Sequence, residues 1–143
     1  MADSQVAFYI IARPTQSAEQ VACILAMKAW AQGHRVAVCA PTEQVVHRLD
    51  EMMWDQPTGR FLPHETDDGS TAPVLIRHGN TGIPGDRDLV INLCIEPVPE
   101  PERFSRLCEV VPAQPEQRTA SRDKYRAYRD KQLSPETHEI GKN

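Results

Sequence analysis

Residues 118–131, RTASRDKYRAYRDK, place six Lys or Arg side chains and two tyrosines within one helix length. Against Asp123 and Asp130 the window carries a net +4, in a chain whose net charge is −4. On a helix, Arg118, Arg122, Tyr125, Arg126 and Arg129 recur at i, i+4, i+7, i+8 and i+11 and share one stripe. The two aspartates fall at other angles. Guanidinium groups fork onto carboxylates, and a tyrosine among them adds a flat apolar wall. Val111, in the apolar run just upstream, can supply a floor. A run of charge is ordinarily a solvated helix face. The alignment of these cations on one stripe argues instead for capture of an acidic peptide with an aromatic or apolar end.

A second patch is apolar. Met52-Met53-Trp54 runs off the end of a helical pattern, and Phe61-Leu62-Pro63 follows a Pro57-Thr58-Gly59 turn. Closing the core accounts for part of this surface. Trp, Phe and Met are also the residues favoured at protein interfaces, where Met adapts to irregular partners.

Other chemistries find little support. The first strand-to-helix loop, residues 12–16 (ARPTQ), has no glycine, and neither GxGxxG nor GxxxxGK[ST] occurs anywhere. Close approach of backbone to phosphate needs those glycines. His34, His47, His64, His78 and His138 are isolated, and no His or Cys stands at metal-ligand spacing. Asp50-Glu51 and Asp67-Asp68 read as solvated acidic pairs. The four cysteines (Cys23, Cys39, Cys94, Cys108) lie far apart in apolar contexts and read as buried reduced thiols. No catalytic residue, metal ligand or cofactor is expected. With no signal peptide and no apolar run near the ~20 residues that span a bilayer, the expected location is cytoplasmic, away from membranes.

The elements that must position these residues alternate. Residues 5–12 (QVAFYIIA) form an apolar run too continuous for a half-exposed strand, as in a buried parallel sheet. Ser17 and Gln20 form a capping box that opens a helix to about Gln32, where Gly33 terminates it. Residues 35–40 (RVAVCA) are a second strand, and Pro41-Thr42 opens a second helix. Further strands are expected at 60–64, 73–77, 88–93 and 107–111, with a short helix at 101–106 and then the basic helix. The expected fold is α/β: a three-layer, Rossmann-like domain over residues 1–132, with a mostly parallel sheet and no nucleotide-binding loop. Residues 133–143 are expected to be a polar, flexible tail.

In order and spacing, AFYI, RVAVCA, RLDEMMW with RFLPH after it, and VVP followed by RDKYRAYR resemble the chi subunit of bacterial DNA polymerase III holoenzyme. That family belongs to the clamp-loader complex and has a Rossmann-like fold without a nucleotide site. The resemblance implies two protein-binding surfaces. One grips the acidic, Phe-terminated tail of single-stranded DNA-binding protein (SSB), and by position it maps to Val111, Arg122, Tyr125, Arg126 and Arg129. The family often has Lys where this chain has Arg126, which keeps the charge and changes the hydrogen-bond geometry. The other surface binds the psi subunit, its key aromatic matching Phe61 with Trp54 and Pro63 as neighbours. In some members it recruits a repair helicase instead. The 65–87 loops and the tail after Gln132 depart from the family pattern.

The expectation is therefore a non-catalytic accessory subunit that reaches DNA only indirectly, through psi and the SSB tail. Two alternatives stand beside it: a nucleotide-binding enzyme on the same scaffold, and a direct single-stranded DNA binder in which Tyr125 and Tyr128 stack on bases. The acidic balance of the chain outside 118–131 weighs against the last.

Overall fold

The computed structural model describes residues 4–55 and 62–140. Seven strands form one all-parallel sheet: β1 (Gln5–Ile11), β2 (Val36–Ala40), β3 (His64–Glu65), β4 (Val74–His78), β5 (Leu89–Asn92), β6 (Arg106–Val111) and β7 (Glu136–Ile140). Their order is β3-β4-β2-β5-β6-β1-β7. The helices are α1 (Ala18–Ala31), α2 (Glu43–Trp54) and α3 (Pro115–Asp130). This is the Rossmann-like α/β architecture expected from the alternating apolar runs.

Strands β2 and β5 are buried along their whole length, because helices or ordered loops cover both faces of the sheet there. Side chains alternate between the faces. Ile11, Val36, Val38, Val74, Ile76, Leu89, Ile91 and Val110 pack with α1 and α2. Val6, Phe8, Ala37, Val90, Leu107 and Val111 face the other way, toward Tyr128 of α3 and the loop residues Ile83, Val98 and Phe104. The capping box is formed: the Gln20 N–H donates to the Ser17 hydroxyl oxygen and the Ser17 N–H donates to Gln20 Oε1. Gly33, at φ +87°, ends α1 in a conformation that disfavours side chains. Thr42 caps α2 through the Val45 N–H.

Three expectations need correction. Residues 136–140, expected in a flexible polar tail, form β7 and pair with β1 from Ala7↔Glu136 to Ile11↔Ile140. Pairing to an open strand edge uses backbone groups, so β7 needs no apolar pattern, and four of its five residues are exposed. The helix expected at 101–106 is a single 3-10 turn, Pro101–Arg103, and Arg106 already belongs to β6. Of the strand expected at 60–64, residues 60–61 lie outside the described residues, and the strand found there is His64–Glu65.

The topology creates one distinctive place. Strands β1 and β6 are neighbours, yet β1 leads to α1 on one face while β6 leads to α3 on the opposite face. Where connections diverge from adjacent parallel strands, a crevice opens at the carboxyl ends, the usual ligand position in open α/β sheets.

Candidate docking site on the basic helix

A cavity of about 230 Å³ lies beside that divergence, lined by Phe8, Ile10, Val111, Arg118, Ser121, Arg122, Tyr125 and Thr137. Its floor is apolar because β1 and β6 turn Phe8, Ile10 and Val111 toward α3, with Ile10 in register with Val111. Its rim is cationic because Arg118 and Arg122, one helical turn apart, are exposed on α3. The Arg118 guanidinium reaches the Ile11 carbonyl at the end of β1, 3.4 Å away. Tyr125 is half-buried and forms the wall, its ring 5.6 Å from that of Phe8. The hydroxyls of Ser121 and Thr137 add neutral donors. An apolar floor beneath paired guanidinium groups suits a ligand that ends in an apolar side chain next to a carboxylate.

Of the residues singled out from sequence, the cavity brings together Val111, Arg122 and Tyr125. Arg126 and Arg129 are exposed on the same helix but do not line it. Sequence reasoning left out Phe8, Ile10, Ser121 and Thr137, and it placed Arg118 on the stripe without counting it in the site. The alternation of β1 was the available signal for Phe8 and Ile10. Thr137 had none, since its position depends on the pairing of β7.

Lys124, a cation of the same window that lies off the stripe, has a different role. It is buried beneath α3, and its ammonium donates to Glu109 Oε1 at 2.9 Å and to the Cys94 carbonyl at 2.5 Å. Glu109, on β6, is fully buried and also accepts from the Asn92 amide and the Tyr128 hydroxyl. Burial, then the adjacent Glu109 charge, pushes the Tyr128 hydroxyl well above its ordinary value, so it remains a donor. Tyr128 in turn accepts from the Val98 N–H. Asn80 continues the network, donating to Asn92 Oδ1 and to the Glu96 carbonyl.

The second predicted patch lies at the end of α2, away from the cavity on α3. Trp54 is 60 % exposed and meets the His64 ring edge-on at 5.0 Å. His64 is buried, with Nε2 3.0 Å from Asp50 Oδ1 and Nδ1 2.6 Å from the Leu62 carbonyl, which ties β3 to α2. Pro63 is half-buried beside it. Phe61 lies outside the described residues. Nearby, a cavity of about 500 Å³ between α1 and α2 is lined by Gln16, Gln20, Cys23, Ile24, Glu51, Met52 and Asp55.

The four cysteines are buried and unbridged. Burial pushes Cys23 and Cys39 up to about 12, and Cys94 and Cys108 up to about 11, so these thiols stay protonated and poorly nucleophilic. No helix among the described residues is long and apolar enough to cross a membrane.

Fold and site together define an open, parallel α/β domain with a basic helix at its switch point. The family model described as DNA polymerase III chi subunit, HolC, matches residues 4–136, and the chain belongs to that family. It is 38 % identical over 140 residues to the DNA polymerase III subunit chi of Pseudomonas aeruginosa, covering 96 % of this chain and 97 % of that one. The Escherichia coli K12 subunit chi is 29 % identical over 130 residues, covering 85 % and 88 %. That of Haemophilus influenzae is 28 % identical over 138 residues, covering 94 % and 96 %. The chain is thus a chi subunit of the replicative polymerase, with an accessory role in DNA replication.

Proposed function

We propose that this chi subunit is a non-catalytic adaptor holding two protein partners on separate surfaces. The α3 cavity takes the acidic, Phe-terminated tail of single-stranded DNA-binding protein. The surface around Trp54, Phe61 and Pro63 takes the psi subunit, and a repair helicase can use the same surface. The contact with DNA is then indirect, made through the tail of a DNA-bound protein.

The observation that carries the reading is the union of an apolar floor (Phe8, Ile10, Val111) with two exposed arginines (Arg118, Arg122) in one small cavity. A terminal aromatic side chain would fill the floor and bring its own α-carboxylate to the guanidinium rim. Arg126 and Arg129, further along α3, would meet the acidic residues that precede it. Exposure of Trp54 at the end of α2 supports the second surface.

Calorimetric titration with a short acidic peptide ending in Phe tests the first half of the reading. Micromolar binding is expected, with the same peptide ending in Ala at least tenfold weaker. Equal binding of both peptides would remove the apolar floor from the reading. Tight retention of a single-stranded oligonucleotide by the isolated chain would favour direct DNA binding, and stabilisation by nucleotides would favour the enzyme.

A further inference from the structure

Among its sixteen residues α3 buries only Lys124 and Tyr128. A helix packed on a sheet usually anchors itself by an apolar stripe. Here the buried stripe is an ammonium group and a phenol, four residues apart, and both end on the carboxylate of Glu109. Apolar contacts to the second core come from the Tyr128 ring and, in part, from Tyr125.

Directionality follows from this chemistry. Apolar packing lets a helix roll by small amounts at little cost, because dispersion contacts have no preferred angle. Hydrogen bonds lose strength steeply once bent or stretched, and an unpaired buried charge is far costlier than an unpaired methyl group. Two such anchors, Lys124 and Tyr128, one turn apart and converging on one carboxylate, therefore set the roll of α3 about its axis. Arg122 lies about 200° around the helix from Lys124, and Tyr125 about 100°. At a side-chain radius of about 6 Å, a 20° roll would carry the Arg122 and Tyr125 side chains about 2 Å across the cavity mouth.

We propose that Glu109, Lys124 and Tyr128 are positioning residues for the docking site on α3: their buried cluster, and not apolar packing, holds Arg122 and Tyr125 over the floor formed by Phe8, Ile10 and Val111. None of the three lines the cavity, so they act only through the placement of residues that do. The same cluster joins α3 to the loop after β5, since Lys124 binds the Cys94 carbonyl and Tyr128 the Val98 N–H. Asn92 and Asn80 fix that loop from below through the Glu96 carbonyl. The peptide half of this inference rests on the proposed function; the placement of α3 does not.

The test uses the whole chain and two variants. The double variant Glu109→Gln with Lys124→Met removes both charges at nearly constant volume, so no charge is stranded. Tyr128→Phe removes one hydroxyl and keeps the ring. Two readouts are followed on folded protein. One is the ring-to-ring nuclear Overhauser effect between Phe8 and Tyr125, whose centroids are 5.6 Å apart. The other is calorimetric affinity for the acidic peptide ending in Phe.

The double variant is expected to keep a cooperative melt while the Phe8–Tyr125 effect weakens by at least half and peptide affinity falls at least fivefold. Tyr128→Phe should show the same changes at smaller size, and it decides the matter if the double variant does not fold. An unchanged ring effect with affinity within twofold, in a folded variant, overturns the proposal. If the unsubstituted chain does not bind the peptide, the docking reading fails, and the ring effect alone still decides whether the cluster positions α3.

Discussion

The ammonium of Lys124 lies 2.9 Å from the carboxylate of Glu109, on the side of α3 turned away from Arg122, with Glu109 fully buried and Lys124 only 3 % exposed. One helix thus carries two kinds of cation. Arg118, Arg122, Arg126 and Arg129 face solvent and are available to a ligand. Lys124 is spent internally, neutralising a carboxylate that the sheet would otherwise have to bury alone.

That relationship predicts an asymmetry in stability. Lys124→Met alone strands the Glu109 charge and should cost about 3–5 kcal/mol. Adding Glu109→Gln should recover most of that loss, because a neutral pair carries little desolvation penalty. Urea denaturation of the two variants checks it, and a double variant no more stable than the single one contradicts it.

Arg122→Ala should weaken binding of the Phe-terminated acidic peptide by about tenfold or more, the cost of about 1.5–3 kcal/mol for a lost charge-assisted hydrogen bond. The fold should be unaffected, since Arg122 is exposed and takes part in none of the buried contacts. Calorimetry on Arg122→Ala beside the parent chain reads both the affinity and any loss of active protein. Undiminished affinity would remove Arg122 from the site.

Salt should act on the same equilibrium. The rim and the line toward Arg129 are solvent-exposed, and exposed charges are screened over about 8–10 Å near physiological ionic strength. Raising sodium chloride from 50 to 300 mM should weaken the acidic peptide several-fold. Arg126→Ala should flatten that dependence more than it changes affinity at high salt, because Arg126 stands outside the apolar cavity. Titrations across a salt series give both slopes.

Trp54→Ala should leave peptide binding at α3 within twofold. The two patches belong to elements on opposite faces of the sheet and share no residue. Its 60 % exposure predicts a small stability change, whereas binding of a psi partner should fall strongly if the aromatic anchors that surface. Parallel measurements with the two partners separate the surfaces, and joint loss of both would show them to be coupled.

Acid should loosen the start of β5. Burial alone would raise the Asp88 carboxyl, but hydrogen bonds with His34 and from the Arg35 N–H outweigh it and hold the group below its ordinary value. A depressed carboxyl contributes stability above its unfolded value near 3.9 and loses it as pH falls through the folded one. Asp88→Asn should therefore destabilise the chain at pH 7 and flatten the decline in stability below about pH 4. Chemical denaturation of both proteins between pH 2 and 7 tests the difference in slope.

Much of the scaffold was legible because local rules and global fold agree. The capping box at Ser17 and Gln20, the Gly33 terminator and the buried apolar runs each carry their own physical reason, and all appear as read. So does the stripe of Arg118, Arg122 and Tyr125, since helical spacing is a property of the chain alone. What lay beyond the sequence depends on contacts between distant segments. Strand β7 reads as a polar tail, because its pairing to β1 uses backbone groups that every residue possesses. The burial of Lys124 is not legible in the sequence, because nothing within a few residues discloses that Glu109, fifteen positions earlier, turns its carboxylate beneath α3. By itself the sequence determined the alternation of strands and helices from β1 to α2, the apolar faces and the cationic stripe. Only the tertiary structure decided which cations remain free to bind and which is used up in the core, since burial and pairing arise when the sheet brings β6 under α3.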